Sequence, residues 1–179
     1  MSRIGNKPID VPNGVEIKLD GQEISVKGPK GNLSMEIHKN MKVNVDGSII
    51  TVVRPDDEPA NRSLHGLTRT LINNMIIGVT EEFKRELEVN GVGYKATKQG
   101  KKLIMSLGYS HLVEIDEPAG ITIDVPNPNQ IVVRGSNKEA VGQLAAVIRS
   151  KRPPEVYRGK GIKYAEETIR RKEGKSGKK

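Results

Sequence analysis

The sequence predicts an α+β fold built as two tandem duplicated domains, each a mostly antiparallel β-sheet packed with one main helix, plus a basic C-terminal extension. Three observations lead there. Short stretches of alternating apolar and polar residues, punctuated by Gly-containing turns, fill residues 15–53 and again 86–133, and each series runs into a segment of helical periodicity. Anchors recur at an offset of about 80 residues: Leu33-Ser34-Met35-Glu36-Ile37 is matched by Leu112-Val113-Glu114-Ile115, and Val52-Val53-Arg54 returns as Val132-Val133-Arg134. Charge is segregated as well. Residues 151–179 hold 11 Lys and Arg against 4 Glu, whereas residues 1–150 hold 19 basic against 18 acidic residues. Domains are therefore expected at 1–82 and 83–152, with a hinge near Gly78 to Phe83 and the extension at 153–179.

The elements follow in order. Val15 to Leu19 alternates and meets the Asp20-Gly21 turn. Glu23 to Lys27 alternates again and stops at Gly28-Pro29-Lys30-Gly31. Leu33 to Ile37, Met41 to Val45 and, after the Asp46-Gly47 turn, Ile49 to Val53 complete a meander with one wet face per strand. A helix is expected from Ala60 to Ile77. Leu64, Leu67, Leu71 and Met75 form its apolar stripe, and Arg62, His65, Arg69 and Asn73 a polar stripe roughly opposite. The second series begins at Glu86 to Asn90. Lys102 to Leu107 and Leu112 to Ile115 flank Gly108, which stands where Gly28 stood. Ile121 to Val125 and Ile131 to Val133 are separated by the turn-rich Pro126-Asn127-Pro128-Asn129. The second helix runs from Asn137, a residue suited to the N-cap, to Ser150, with Val141, Leu144 and Ile148 on one face.

Composition excludes several chemistries. The 179 residues are 35% hydrophobic and 3% aromatic with no Cys, so disulfides, thiolate zinc sites and a Cys nucleophile are absent together. That suits a reducing compartment. No window approaches the ~18 apolar residues of a transmembrane helix, and the opening residues lack the apolar core of a secretory signal. A soluble, cytoplasmic chain is expected, with no membrane partner and no homo-oligomer. His38, His65 and His111 are scattered without metal-binding spacing, and no nucleophile elbow or phosphate-binding P-loop exists. The one acidic cluster, Asp56-Asp57-Glu58, sits before a helix where carboxylates complement the dipole. Gly91-Val92-Gly93 resembles a phosphate loop but opens strands rather than a helix, which favours a bulge. No cofactor, metal or catalytic group is expected.

The basic end reads differently. Its cations are interleaved with Tyr157, Tyr164, Pro153, Pro154 and glycines 159, 161 and 174, residues of little use to a purely solvating tail. Polyanion binding is favoured over membrane binding, since the segment has no broad apolar face. The residues expected to touch nucleic acid are Lys151, Arg152, Tyr157, Arg158, Gly159, Lys160, Gly161, Lys163, Tyr164, Arg170, Arg171, Lys172 and Lys175. Gly159 and Gly161 would bare the backbone to phosphate, and Pro153-Pro154 would stiffen the exit from the helix. A second candidate face, for RNA or protein, comprises Arg62, His65, Arg69, Asn73, Tyr94 and Lys95. With one Phe and four Tyr in the chain, base-stacking platforms are not expected, and recognition should run through charge and shape. Two other readings stand beside this one: an RNA-processing enzyme using Asp56-Asp57-Glu58 with a histidine, and an adaptor whose sheet edges capture a protein.

Pro154-Glu155-Val156-Tyr157-Arg158-Gly159-Lys160-Gly161-Ile162 closely resembles the signature of the bacterial large-ribosomal-subunit protein six family. The similarity extends over essentially the whole chain, including Ser2-Arg3-Ile4-Gly5-Asn6-Lys7-Pro8-Ile9, Arg62-Ser63-Leu64-His65-Gly66-Leu67, Gly91-Val92-Gly93-Tyr94-Lys95-Ala96 and the closing Ile169-Arg170-Arg171-Lys172. Val156 and Arg158 depart mildly from the family pattern. The resemblance implies a non-catalytic structural constituent of the large ribosomal subunit with two duplicated α+β domains. It would bind large-subunit ribosomal RNA near the sarcin–ricin loop, at the base of the stalk that recruits translational GTPases, beside neighbouring ribosomal proteins. The family's main RNA contacts, in the second domain and extension, correspond to Lys151 to Lys172.

Overall fold

A computed structural model describes residues 3–175. Lys178 and Lys179, two of the basic residues counted above, lie outside the described residues, as does Ser2. The chain divides into two compact units. The first runs up to Phe83 and takes in Ser136–Lys138; the second takes in Lys84–Gly135 and the residues from Glu139 onward.

In the first unit β1 (Ile9–Asp10), β2 (Glu16–Asp20), β3 (Glu23–Gly28), β4 (Gly31–Glu36), β5 (Lys42–Asp46) and β6 (Ile49–Val53) precede α1 (Pro59–Glu81). They make two antiparallel three-stranded sheets, ordered β2-β3-β4 and β1-β6-β5. The second unit repeats the plan. β7 (Phe83–Asn90), β8 (Lys95–Gln99), β9 (Lys102–Ser106), β10 (Val113–Asp116), β11 (Ile121–Asn127) and β12 (Gln130–Gly135) precede α2 (Lys138–Ser150). Then β13 (Gly161–Tyr164) closes a four-stranded sheet ordered β11-β12-β7-β13, beside the three-stranded β10-β9-β8. The α+β class and the duplicated strand–helix plan are as expected. Three strands, β1, β8 and β13, were not predicted: β1 is two residues long, and Lys95–Gln99 and Gly161–Tyr164 carry little apolar alternation.

Helix α1 corrects the sequence. Its buried residues are Asn61, His65, Thr68, Ile72, Met75, Ile76, Gly78 and Val79, while Leu67 is 53% and Leu71 37% exposed. The apolar stripe is therefore half right, since Met75 is buried and Leu64 packs against the core while Leu67 and Leu71 face outward, and the polar stripe is broken by buried His65. The rotation is set by Ile72, Ile76 and Val79, which join Ile24, Val26 and Ile50 in the core. Carried back toward Pro59, that face brings polar residues inward, and two are accommodated by hydrogen bonding. His65 Nε2 donates to the Val52 carbonyl (2.8 Å), leaving Nδ1 to accept from Arg54 (2.7 Å). Asn61 donates to Asp56 (2.8 Å) and accepts from Asn40 (3.0 Å). Helix α2 obeys its pattern: Val141, Leu144, Ala145 and Ile148 are buried, with Glu139 in the first turn and Arg149 in the last. Leu87, Val89, Leu103, Met105, Ile123, Ile131 and Ile162 fill the core of the second unit.

Candidate nucleic-acid interface

The basic segment does not leave the second unit as a free arm. Its polypeptide is stitched down at several points. After α2 the chain turns at Pro153-Pro154, and the Glu155 amide donates to the Lys160 carbonyl (2.8 Å), closing a loop. The Ile162 amide donates to Arg152 (2.7 Å), and Gly161 to Tyr164 pair antiparallel with Asn90 to Leu87 of β7. Ile162 is fully buried, which anchors the signature loop in the core. Farther on, the Ala165 amide donates to Glu86 (3.0 Å) and the Lys172 amide to Val156 (2.9 Å), folding the segment back beside its own beginning.

The two signature glycines divide their work. Gly159 has φ +73°, and a Cβ there would meet only the Arg171 guanidinium at 3.2 Å. Gly161 has φ +133°, and its Cβ would lie 2.5 Å from the Pro153 oxygen and 2.7 Å from Pro154 Cα. Gly161 is thus buried against proline backbone rather than bared to phosphate, a structural glycine.

The predicted cations separate into two groups. Lys163 Nζ lies 2.8 Å from Glu88 and also donates to the Glu167 carbonyl, so it holds the fold together. Tyr164 is half-buried beside the Arg85 and Arg149 guanidinium groups, 5.6 and 5.7 Å from its ring. Arg149 grips Glu167 through two hydrogen bonds (2.8 and 2.5 Å), and Arg85 pairs with Glu166. The Arg149 bond holds the Glu167 carboxyl below the usual carboxylate range. By contrast Lys151, Arg158, Lys160, Arg170, Arg171, Lys172 and Lys175 make no ion pair among the described residues. A concave surface lined by Asn90, Glu88, Thr168, Arg171, Arg158 and Gly159 adjoins a recess formed by Asn90, Gly91, Val92, Arg158, Gly159 and Lys160. Val92, at 93% exposure, stands out from the recess, and Tyr157, the residue before Arg158, is 57% exposed.

Of a cluster beside it, sequence reasoning singled out Arg152 and Tyr94 but missed Tyr109 and His111. The Arg152 guanidinium lies 4.8 Å from the Tyr109 ring centroid, and the Tyr109 ring stacks on His111 at 5.7 Å and 16°. Hydrogen bonding to Tyr109, then to Tyr94, holds Arg152 above its ordinary pKa. The Tyr109 hydroxyl donates to the Lys151 carbonyl (2.9 Å). Tyr94 is half-buried, its ring within 2.8 Å of a Cβ built on Gly91 and 3.0 Å of one on Gly108. All four tyrosines of the chain belong to the second unit. Their placement outweighs their small number, and that was the available signal.

The second candidate face does not assemble as a basic ridge. His65 is 2% exposed and hydrogen-bonded inward. Arg69 donates to the Lys7 and Pro8 carbonyls, both at 3.1 Å, and so straps the N-terminal segment across α1. Gly5 explains the strap's path, since a Cβ there would fall 2.4 Å from the His65 ring. Arg62 is exposed and Asn73 half-buried on α1; Tyr94 and exposed Lys95 belong to the other unit. Asp56 and Asp57 are occupied by Asn61 and Arg54, whose hydrogen bonds depress both carboxyl pKa values. No group of three or more metal-ligating side chains is found among the described residues, and no helix among them is long and apolar enough to cross a membrane.

The sequence model described as Ribosomal protein L6 matches two stretches, residues 11–82 and 90–165. Among curated relatives, the large ribosomal subunit protein uL6 of Carboxydothermus hydrogenoformans is 60% identical over 177 residues, covering 99% of this chain and 97% of its own. That of Caldicellulosiruptor saccharolyticus is 61% identical over 178 residues, with 99% and 98% covered. That of Enterococcus faecalis is 54% identical over 178 residues, with 99% and 100% covered.

Proposed function

The chain belongs to the ribosomal protein L6 family, and from that premise we propose that it binds large-subunit ribosomal RNA through the second unit and its basic C-terminal segment. It is a structural, non-catalytic constituent of the large ribosomal subunit and resides with the ribosome in the cytoplasm. Its place there is near the sarcin–ricin loop, at the base of the stalk that recruits translational GTPases, with other ribosomal proteins beside it. The observation that carries the reading is the division of labour within residues 151–175. Lys163, Arg149 and the β13 pairing fasten the segment, and the unpaired cations project from it.

The mechanism is electrostatic docking onto a folded polyanion. Each cation that meets a phosphate releases a condensed counterion, and the fixed backbone sets which phosphates are reached. Arg158 and Lys160 flank Gly159 at the turn of the signature loop, with Arg171 brought close to the same glycine, so three cations converge on one patch. No step of bond making or breaking is involved.

The test is the salt dependence of binding between the full chain and protein-free large-subunit RNA. With about five cations at phosphates, log affinity should fall against log salt with a slope of roughly −4 to −5. Arg158→Ala with Lys160→Ala should weaken binding and reduce the slope by up to about two. Unfolding should be unaffected, because both side chains lie outside the core. A flat salt dependence would overturn the reading.

A further inference from the structure

The two units share a plan, and the place where they depart from it is informative. In the first unit β3 and β4 are joined by a tight turn, Gly28 pairing directly with Gly31. That turn is tied to the end of α1 by backbone alone, the Lys30 amide donating to the Val79 carbonyl at 2.9 Å. In the second unit the equivalent strands, β9 and β10, are separated by six residues, Leu107 to Leu112. The tie to the end of the helix is kept, but a side chain now makes it: the Tyr109 hydroxyl reaches the carbonyl of Lys151. The longer loop holds Leu107 fully buried and presents Tyr109, His111 and Leu112 at the surface, Tyr109 at 42% and Leu112 at 57% exposure.

Tyr109 has a structural duty, the tie to the Lys151 carbonyl. His111 has none of that kind: it is exposed, and its partner is the Tyr109 ring. Exposed planar groups already stacked, with a guanidinium against the same tyrosine, form a surface of π-faces and delocalised charge. Such a surface is unrewarded in water and suited to another flat, weakly hydrated ring. The cluster also adjoins the basic segment through Arg152 and Lys151, so a ligand that brings phosphate to the cations can bring a ring to the loop.

We propose that Tyr109 and His111, braced by Arg152, form a stacking platform for one unstacked nucleobase of the bound RNA. This rests on the RNA-binding reading above, and deepens it: contact with charge and shape is joined by contact with a base face, which the composition had argued against. Stacking is tolerant of base identity because every base has a π-face, so the platform favours an extruded or loop nucleotide rather than a particular letter.

The experiment measures binding of the full chain to protein-free large-subunit RNA for His111→Ala, His111→Leu, His111→Phe and His111→Gln. Removing the ring (Ala) or replacing it by an aliphatic group (Leu) should weaken binding roughly 5- to 100-fold without altering the salt slope. Phe should restore affinity to within about threefold, since it keeps the π-face, and Gln should not. Unchanged circular dichroism and melting of each variant show that the loop's fold is intact. Wild-type affinity of His111→Ala, or rescue by Gln and not by Phe, would overturn the platform while leaving the salt slope, and with it the electrostatic reading, in place. A flat slope for the unsubstituted chain would instead remove the RNA-binding reading itself.

Discussion

Gly161→Ala tests whether the signature segment is part of the folded unit. The backbone at Gly161 has φ +133°, a region that an L side chain occupies at a cost of about 1–3 kcal/mol. The new Cβ would also fall 2.5 Å from the Pro153 oxygen and 2.7 Å from Pro154 Cα. Both are backbone atoms, so relief requires moving the chain, and overpacking of this kind costs a further 1–3 kcal/mol or so. The combined loss, about 2–6 kcal/mol, falls on the second unit. At a urea dependence of about 1–3 kcal/mol/M, its unfolding midpoint should drop by at least about 0.7 M. Gly159→Ala is the internal control. Its φ of +73° carries a cost of only about 1–2 kcal/mol, and its Cβ meets the movable end of Arg171. Urea unfolding followed by circular dichroism, with limited proteolysis between Lys151 and Lys160, reads both variants. Equal midpoints for the two variants, or an unshifted Gly161→Ala, would refute the claim that the signature loop is clamped against its prolines.

Two other outcomes are expected. Ile72→Ala should cost about 2–5 kcal/mol, whereas Leu71→Ala, at 37% exposure, should cost less than about 1.5 kcal/mol; denaturant unfolding that ranks them the other way would reverse the assigned face of α1. Glu167 is held ionised by Arg149, so its folded pKa lies below its unfolded value, near 4.3. The stability it contributes is complete above that value and is lost as pH falls through the folded pKa. Glu167→Gln should therefore be less stable than the parent at pH 7, with the gap narrowing below about pH 4; unfolding midpoints compared at pH 7 and pH 3 check this, and a gap independent of pH would contradict it.

Much of the fold was legible because alternation and turn residues report local structure directly. The β3–β4 hairpin, the β5–β6 pair and helix α2 follow from apolar spacing alone, and the Val52-Val53-Arg54 and Val132-Val133-Arg134 anchors expose the repeat. Helix α1 was misread because Leu64, Leu67 and Leu71 make a cleaner apolar stripe than Asn61, His65 and Thr68. The buried face was decided by the packing of Ile72, Ile76 and Val79, and Asn61 and His65 follow it inward because Val52, Arg54, Asp56 and Asn40, all outside the helix, satisfy their hydrogen bonds. The cations of the candidate interface were legible as charge. Which of them were free was not, since Lys163 and Lys160 look alike until Glu88 is placed beside one of them. The Tyr109–His111 pair escaped notice for a different reason: one Phe and four Tyr are few in total, and that scarcity hid the fact that every Tyr lies beyond residue 83, in the second repeat or its extension.

The pairing of β13 with β7 has a thermodynamic consequence for docking. Fixing a residue's backbone costs about 1–2 kcal/mol of conformational entropy, and the four residues Gly161–Tyr164 have already surrendered theirs to the sheet. Arg158 and Lys160, a few positions away in a loop closed by the Glu155–Lys160 bond, inherit that restraint. The partner therefore meets a preorganised surface, and the attraction gained at each phosphate goes into affinity instead of into arresting a wandering chain.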